Sequence, residues 1–462
     1  MKRKTLHDVI ISEKSSIKDA MRKIDHSGLR VVFVVNGRGA VIGALSDSEI
    51  RKAILKGKDV KSPAKSIVNE NPIVFREKDL SSGYTVKKVV EMLLKKMPDS
   101  RYMLVVDDKD IPKDIMPCSL LLGQKGSPRG DNERKDGEIL VVGGAGYLGS
   151  VLVRKLLERM FTVKVLDNIM YGIGPIEPLL SHDRFKFIEG DARNISVLVK
   201  ALNNVDAVIN LAAIVGDPAC TNKPESAIET NYLANKILAE ACKFHQVNRF
   251  IYASTCSVYG TMDGEKELDE NSALNPVSLY ARSKIQSEEG ILSIEDENFS
   301  PTILRMGTLY GYSPRMRFDL VVNSMVKNAI VDKKIFIHGG GRQWRPLVNL
   351  EDAAEAYIKC LEAPLKRIKG EIFNVGSGRQ NFQIIEIGRI THALIPGARL
   401  VIEEGKTDQR NYVVSFSKIE KRLDYRATRK LEDSILYIKK AIENGEIADV
   451  NDPKYYNVES NP

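Results

Sequence analysis

The chain has 462 residues, more than one hydrophobic core organises, so two or three domains are expected. Hydrophobic residues make up 43% and charged residues 28%, a balance that excludes disordered and fibrous classes. The formal charge of +8 is interleaved with acids, as in Lys87-Lys88 with Glu91 and Lys418 with Glu420, which argues against a nucleic-acid surface and for a mild bias toward anionic ligands.

No apolar run approaches the roughly 18 residues of a membrane span, and the start, Met1-Lys2-Arg3-Lys4-Thr5-Leu6-His7-Asp8, has no signal-peptide core. A cytoplasmic protein with no membrane partner is expected. The five cysteines (Cys118, Cys220, Cys242, Cys256 and Cys360) form no CxxC pair, so buried thiols are expected rather than a metal site or a disulfide frame.

In chain order, Ile17 to Ile24 predicts a helix and Arg30 to Val35 a strand. A turn at Asn36-Gly37-Arg38-Gly39 leads to a second strand, Ala40 to Leu45, and then to a helix from Ser46 to Leu55. Val86 to Lys96 followed by Tyr102 to Val106 echoes the first helix and strand. The segment Gly43-Ala44-Leu45-Ser46-Asp47-Ser48-Glu49 resembles the Gly-x-x-Thr-x-x-Asp motif of cystathionine-β-synthase-type (CBS) domains, so residues 1–123 resemble an α+β pair of such domains. The resemblance implies an adenine nucleotide, with the Ser46 hydroxyl on a phosphate and Glu49, in place of the usual Asp, on ribose hydroxyls. No comparable motif occurs in Ile111 to Leu122, and a purely structural or dimerising module is the alternative.

Residues 124–137 are polar, with glycines and a proline, and are expected to be a linker. Beyond them, short runs rich in β-branched residues alternate with longer amphipathic ones. Ile139 to Val142, Thr162 to Leu166, Ala207 to Leu211 and Phe250 to Ala253 predict strands, and Tyr232 to Lys243 a helix. That alternation is the mark of an α/β fold, a doubly wound Rossmann-type parallel sheet with helices on both faces. It is expected over 138–310, with a smaller, mainly substrate-binding region over 311–462 that partly returns to the sheet.

The first of these strands runs into Gly143-Gly144-Ala145-Gly146-Tyr147-Leu148-Gly149 and then a helical segment. In this context Gly143 permits a tight turn, Gly146 lets the backbone approach a diphosphate, and Gly149 allows close helix packing. Asp167 ends the next strand, eighteen residues after Gly149. A carboxylate there accepts two ribose hydroxyls and repels a 2′-phosphate, so the expected cofactor is NAD rather than NADP. Asp191, with Ala192 beside it, ends a third strand and is placed for the adenine amino group.

Tyr280-Ala281-Arg282-Ser283-Lys284 puts a phenol and an ammonium four residues apart, on one helix face. The lysine is expected to lower the tyrosine's pKa toward neutrality. Upstream, Ser254 and Thr255 end the strand beginning at Phe250, where a hydroxyl faces the cofactor crevice.

This order of motifs resembles the extended short-chain dehydrogenase/reductases that act on nucleotide sugars, typified by UDP-galactose 4-epimerase, over about 138–455. The resemblance makes Tyr280 the acid/base, Lys284 its partner and Thr255 the assisting hydroxyl. It assigns Tyr147, Leu148, Asn168, Leu211, Ala212, Ala213, Asn231 and Ser254 to the cofactor site. In Arg305-Met306-Gly307-Thr308, Thr308 stands where the family has a substrate-binding Asn. Gly339-Gly340-Gly341-Arg342-Gln343-Trp344-Arg345 resembles the loop whose arginine, here Arg345, reaches the diphosphate, and Arg410 matches a second such ligand. The implied partner is a nucleotide-diphosphate sugar and the implied assembly a homodimer, with surface-polysaccharide synthesis as the setting. The 4,6-dehydratases carry carboxylates beside the catalytic threonine, and here Cys256 and Ser257 occupy those positions. Epimerisation is therefore expected first, ketoreduction second and dehydration third. A nucleotide-sensing protein without turnover is the reading from another class.

Overall fold

The computed structural model describes residues 6–27, 31–46, 49–50, 53–54, 56–72, 74–76, 102–117, 138–261, 266–405 and 408–457. The chain divides into two compact units, Met1–Glu133 and Arg134–Pro462. The expected helix at 86–96, the linker 124–137 and Cys118 lie outside the described residues.

The first unit contains two three-stranded sheets of the same design. In one, β1 (Ile10–Ser12) runs parallel to β2 (Val31–Val35), which pairs antiparallel with β3 (Val41–Ser46). In the other, β4 (Phe75–Arg76) runs parallel to β5 (Tyr102–Val106), which pairs antiparallel with β6 (Pro112–Pro117). The hairpin turns repeat too. Asn36 Oδ1 accepts the N–H groups of Arg38 and Ala40 at 2.9 and 3.1 Å, and Asp107 Oδ1 accepts those of Lys109 and Ile111 at 2.9 Å each. Asx side chains mimic a backbone turn in this way. The helix expected from Ile17 runs to Ser27, three residues past its expected end. Ser16 and Asp19 cap it reciprocally, with Asp19 Oδ2 accepting from Ser16 N at 3.0 Å and Ser16 Oγ from Asp19 N at 3.1 Å.

The second unit is built on seven parallel strands. They are β7 (Glu138–Val142), β8 (Thr162–Asp167), β9 (Phe185–Glu189), β10 (Ala207–Asn210), β11 (Arg249–Thr255), β12 (Ser300–Met306) and β16 (Glu371–Val375), ordered β9-β8-β7-β10-β11-β12-β16. Because β8 and β9 wind one way from β7 and the later strands the other, the direction of winding reverses between β7 and β10. Ligands of such sheets bind outside the carboxyl ends of the strands at that point. Both faces are covered, so Leu140, Val141, Val163, Val165, Val208 and Ile209 are all fully buried, which explains their near-continuous apolar character.

Helix Gly149–Glu158 buries Leu152, Val153, Leu156 and Leu157. The expected helix from Tyr232 begins differently: a π-helical turn, Glu229–Leu233, precedes the α-helix Ala234–Phe244. Helix Leu279–Leu292 starts from Ser278, whose side chain accepts from Ala281 N. The remaining strands are β13 (Thr308–Tyr310), β14 (Lys334–His338), β15 (Trp344–Asn349), β17 (Asn381–Gln383) and β18 (Arg399–Glu403). They make two small sheets, β13-β15-β17 and β14-β18. Helices Val321–Val331, Ile384–Leu394 and Leu431–Glu443 share a second core with them, around Phe318, Val326, Ile337 and Ile435. The edge strand β16 shows that residues after 310 complete the large sheet. Among the described residues no helix is long and apolar enough to cross a membrane, and Cys220, Cys242, Cys256 and Cys360 are buried and unpaired.

Candidate active site

A cavity of about 480 Å³ opens at the carboxyl ends of the strands. Its floor is the turn after β7. Gly143 has φ +83°, and a Cβ there would meet Ala212 N at 2.8 Å. At Gly149 a Cβ would lie 2.3 Å from Gly143 O, so the helix can start against the turn only without a side chain. Gly146, Tyr147 and Leu148 line the same cavity.

Asp167 lines it at the end of β8, held by Ala145 N on Oδ2 and Ile169 N on Oδ1, each at 2.9 Å. Burial raises its pKa, and the backbone N–H groups pull it back down. Asn168, Asp191 and Ala192 follow along the wall. Asp191 pairs with Arg193 at 2.7 Å, which lowers its pKa. The glycine cradle, the carboxylate at the β8 end and the apolar wall of Leu211, Ala212 and Ala213 fit a dinucleotide. NAD would be held by these groups and would supply the hydride acceptor and donor.

At the other end of the cavity stand Ser254, Thr255, Tyr280 and Lys284. Thr255 and Tyr280 line the same end of the cavity, and the threonine hydroxyl works to lower the pKa of the phenol. Burial drives the Tyr280 pKa up, and the cation that most opposes this is Arg317. The expectation that Lys284 lowers it is thereby corrected. The Lys284 ammonium donates to Ala253 O at 2.8 Å and lies 4.7 Å from the Tyr252 ring centre, against 5.9 Å from that of Tyr280. Burial lowers the pKa of Lys284 itself to about 8.

Behind these residues Ser254 Oγ donates to Glu288, which pairs with Arg305 at 2.7 Å. Arg305 also donates to the Tyr259 hydroxyl at 3.1 Å. Both partners are only 3% exposed, so Arg305 is a brace under the strand end.

Two assignments need correction. Asn231 does not line the cavity. It is fully buried, with Oδ1 accepting from Ile214 N at 2.8 Å and Nδ2 donating to Ile214 O at 2.9 Å. The π-helical turn aims it at that backbone, so it shapes the wall from behind. Arg345 also lies off the cavity, because it is buried against Asp408 at 2.7 Å and donates to the carbonyl of Arg410. Arg410 does line the cavity, paired with Asp408 at 2.5 Å and Asp217 at 3.2 Å. Thr308 lines it as well. In the first unit, Glu49 Oε2 accepts from Ser46 N at 2.8 Å and from the Ser46 hydroxyl, so the two residues bind each other.

Residues the sequence reading missed also line the cavity, namely Tyr171, Arg315, Arg317 and Asn457. One signal was available. In Pro314-Arg315-Met316-Arg317-Phe318-Asp319, cations alternate with large apolar side chains outside any element. Met316 and Phe318 anchor the segment in the core and turn both arginines the other way.

The sequence profile of the NAD dependent epimerase/dehydratase family matches residues 139–376, a little over half the chain, and that of the CBS domain matches residues 4–56. The chain belongs to the NAD-dependent epimerase/dehydratase family. It is 29% identical over 314 residues to the uncharacterized UDP-glucose epimerase YtcB of Bacillus subtilis, covering 64% of this chain and 95% of that one. Among solved structures it is similar to the UDP-glucuronic acid 4-epimerase of Bacillus cereus, in complex with UDP-glucuronic acid and NAD. There the identity is 29%, the TM-score 0.61, and the coverage 66% of this chain and 99% of that one. It is similar as well to the dTDP-glucose 4,6-dehydratase DesIV of Streptomyces venezuelae, with NAD and TYD bound, at 26% identity and TM-score 0.60 over 67% of this chain and 98% of that one.

Proposed function

We propose that this chain epimerises a nucleotide-activated sugar at C4. Tyr280 takes the proton of the sugar hydroxyl and later returns it, Thr255 hydrogen-bonds the reacting oxygen, and Lys284 fixes the ribose beside it. Arg317 favours the phenolate form of Tyr280. Thr308 and Arg410, which line the cavity, would bind the diphosphate of the sugar nucleotide.

The observation that carries epimerisation over dehydration is the placing of acids. Among the described residues lining the cavity, the carboxylates are Asp167 and Asp191, both at the ends of β8 and β9. None stands beside Thr255. Cys256 is packed in the core, its thiol donating to Arg305 O at 3.3 Å and pushed far up in pKa by burial, so it can neither give nor take a proton at the sugar. Ser257 lines the cavity, but a hydroxyl is too weak a base for a C5 proton. The similarity to YtcB and to the Bacillus cereus UDP-glucuronic acid 4-epimerase supports this reading and puts UDP-sugars first in a panel that also contains GDP-, CDP- and dTDP-sugars. Mass spectrometry with chromatography should show a new isomer of unchanged mass, without added reductant. Loss of one water, or a gain of two hydrogens, would replace the proposal by dehydration or ketoreduction.

For the first unit we propose an adenine nucleotide at Ser46 and Glu49, supported by the Gly43–Glu49 motif and the CBS match. The ligand would have to open the Ser46–Glu49 contact. Absence of heat when the full chain is titrated with AMP or ATP would dismiss it. A monomer mass by light scattering would likewise dismiss the homodimer.

A further inference from the structure

We propose that Arg315, stacked on Tyr171 and tethered by Asn457, is a phosphate-binding arm of the dinucleotide site, carried on a segment fastened to the glycine turn. The guanidinium lies 3.8 Å from the centre of the Tyr171 ring, and its Nη2 donates to Asn457 Oδ1 at 2.6 Å. The residue is 2% exposed, and its Nε is buried with no hydrogen-bond partner.

Its neighbours make the point by contrast. Among the described arginines lining this cavity, Arg193 is paired with Asp191 at 2.7 Å, Arg317 with Asp319 at 2.5 Å and Arg410 with Asp408 at 2.5 Å. Arg315 forms no ion pair among the described residues. A buried cation without an acid is costly, and such groups are kept where a ligand supplies the anion. Burial and the charge of Arg317 pull the pKa of Arg315 down to about 10, which leaves it charged at neutral pH. The planar fork with Nε free suits a phosphate bound through two donors.

Two diphosphates would enter this cavity, that of the dinucleotide and that of the sugar nucleotide, and position chooses between them. Tyr171 follows Asp167 by one short turn. The backbone that carries Arg315 is bolted to the glycine turn: Tyr147 donates to Gly311 O at 2.8 Å, and Ser313 Oγ donates to Tyr147 O at 2.8 Å and accepts from Arg315 N at 3.2 Å. Asn457 also donates to Val215 O at 3.1 Å, so it spans the arm and the far wall. The arm therefore serves the dinucleotide, while Arg410 faces the other diphosphate.

The test is calorimetry on the full chain stripped of cofactor, with NAD, ADP, adenosine and UDP as probes. Arg315→Met should weaken NAD and ADP by at least about tenfold, the range of one charge-assisted bidentate contact. Adenosine and UDP should stay within about twofold of wild type. Before ligand is added, the variant should melt no lower than wild type, because an unpaired buried charge has been removed. Arg315→Lys should recover part of the ADP affinity. Unchanged ADP binding, or equal losses for ADP and adenosine, would overturn the proposal. A loss for UDP in place of ADP would overturn it too, moving the arm to the sugar nucleotide. If Arg315→Met fails to fold, Asn457→Ala is measured in the same way. It leaves the guanidinium but frees its tether, and ADP affinity equal to wild type there would sink the idea.

Discussion

Replacing Lys284 by methionine should stabilise the second unit at neutral pH while abolishing turnover. Lys284 is 2% exposed, and its pKa falls from 10.5 to about 8 through burial. That displacement corresponds to about 3 kcal/mol by which the charged form is disfavoured in the folded chain. Below pH 8 folded and unfolded chains both carry the proton, and the full cost is present. Between about pH 8 and 10.5 the folded chain has released it while the unfolded chain still holds it, so wild-type stability rises with pH. By pH 9.5 about 2 of the 3 kcal/mol should have been recovered. Urea unfolding read by the only tryptophan, Trp344, reports on this unit alone. Lys284→Met should be the more stable protein at pH 7, and its advantage should shrink by about 2 kcal/mol at pH 9.5. Parallel behaviour of the two proteins across that range would refute the reasoning, and so would a variant that is less stable at pH 7.

Three further outcomes are expected. Tyr280→Phe should cut turnover by about 10²-fold or more while leaving NAD affinity nearly unchanged, since only the proton-transfer group is lost; a mutant that keeps most of its rate would show the acid/base to be elsewhere. NAD should bind at least about tenfold more tightly than NADP, or roughly 1.4 kcal/mol, because Asp167 repels a 2′-phosphate, and equal affinities by calorimetry would contradict this. Glu288→Ala should cost about 3–5 kcal/mol of stability by stranding Arg305, whereas the double variant Glu288→Leu/Arg305→Met should recover most of it; equal melting of the single and double variants would show that the pair is not a unit.

The parts of this fold that rest on local spacing were readable in the sequence. The glycine turn, the aspartate at the end of β8 and the Tyr280–Lys284 spacing each depend on one strand end or one helix face, and each of these residues lines the cavity. What escaped depends on direction rather than spacing. A single π-helical turn sends Asn231 into the backbone of Ile214, and a carboxylate far downstream, Asp408, draws Arg345 off the cavity. Arg315 was invisible for a related reason, because its place is set by Met316 and Phe318 entering a core that only tertiary packing assembles. The electrostatics of Tyr280 were misjudged because helix spacing puts Lys284 on the right face but does not say that the carbonyl of Ala253 holds it.

Arg345, Asp408, Arg410 and Asp217 form a chain in which positive and negative charges alternate. Its net charge is zero, so at distances beyond a Debye length it presents no attractive field to an incoming dianion. Capture of the sugar nucleotide should therefore be limited by local exchange of carboxylate for phosphate at Arg410. Any dependence of its association rate on ionic strength should then come from the overall charge of +8 rather than from this quartet, and selectivity against other anions should arise from the stereochemistry of that exchange.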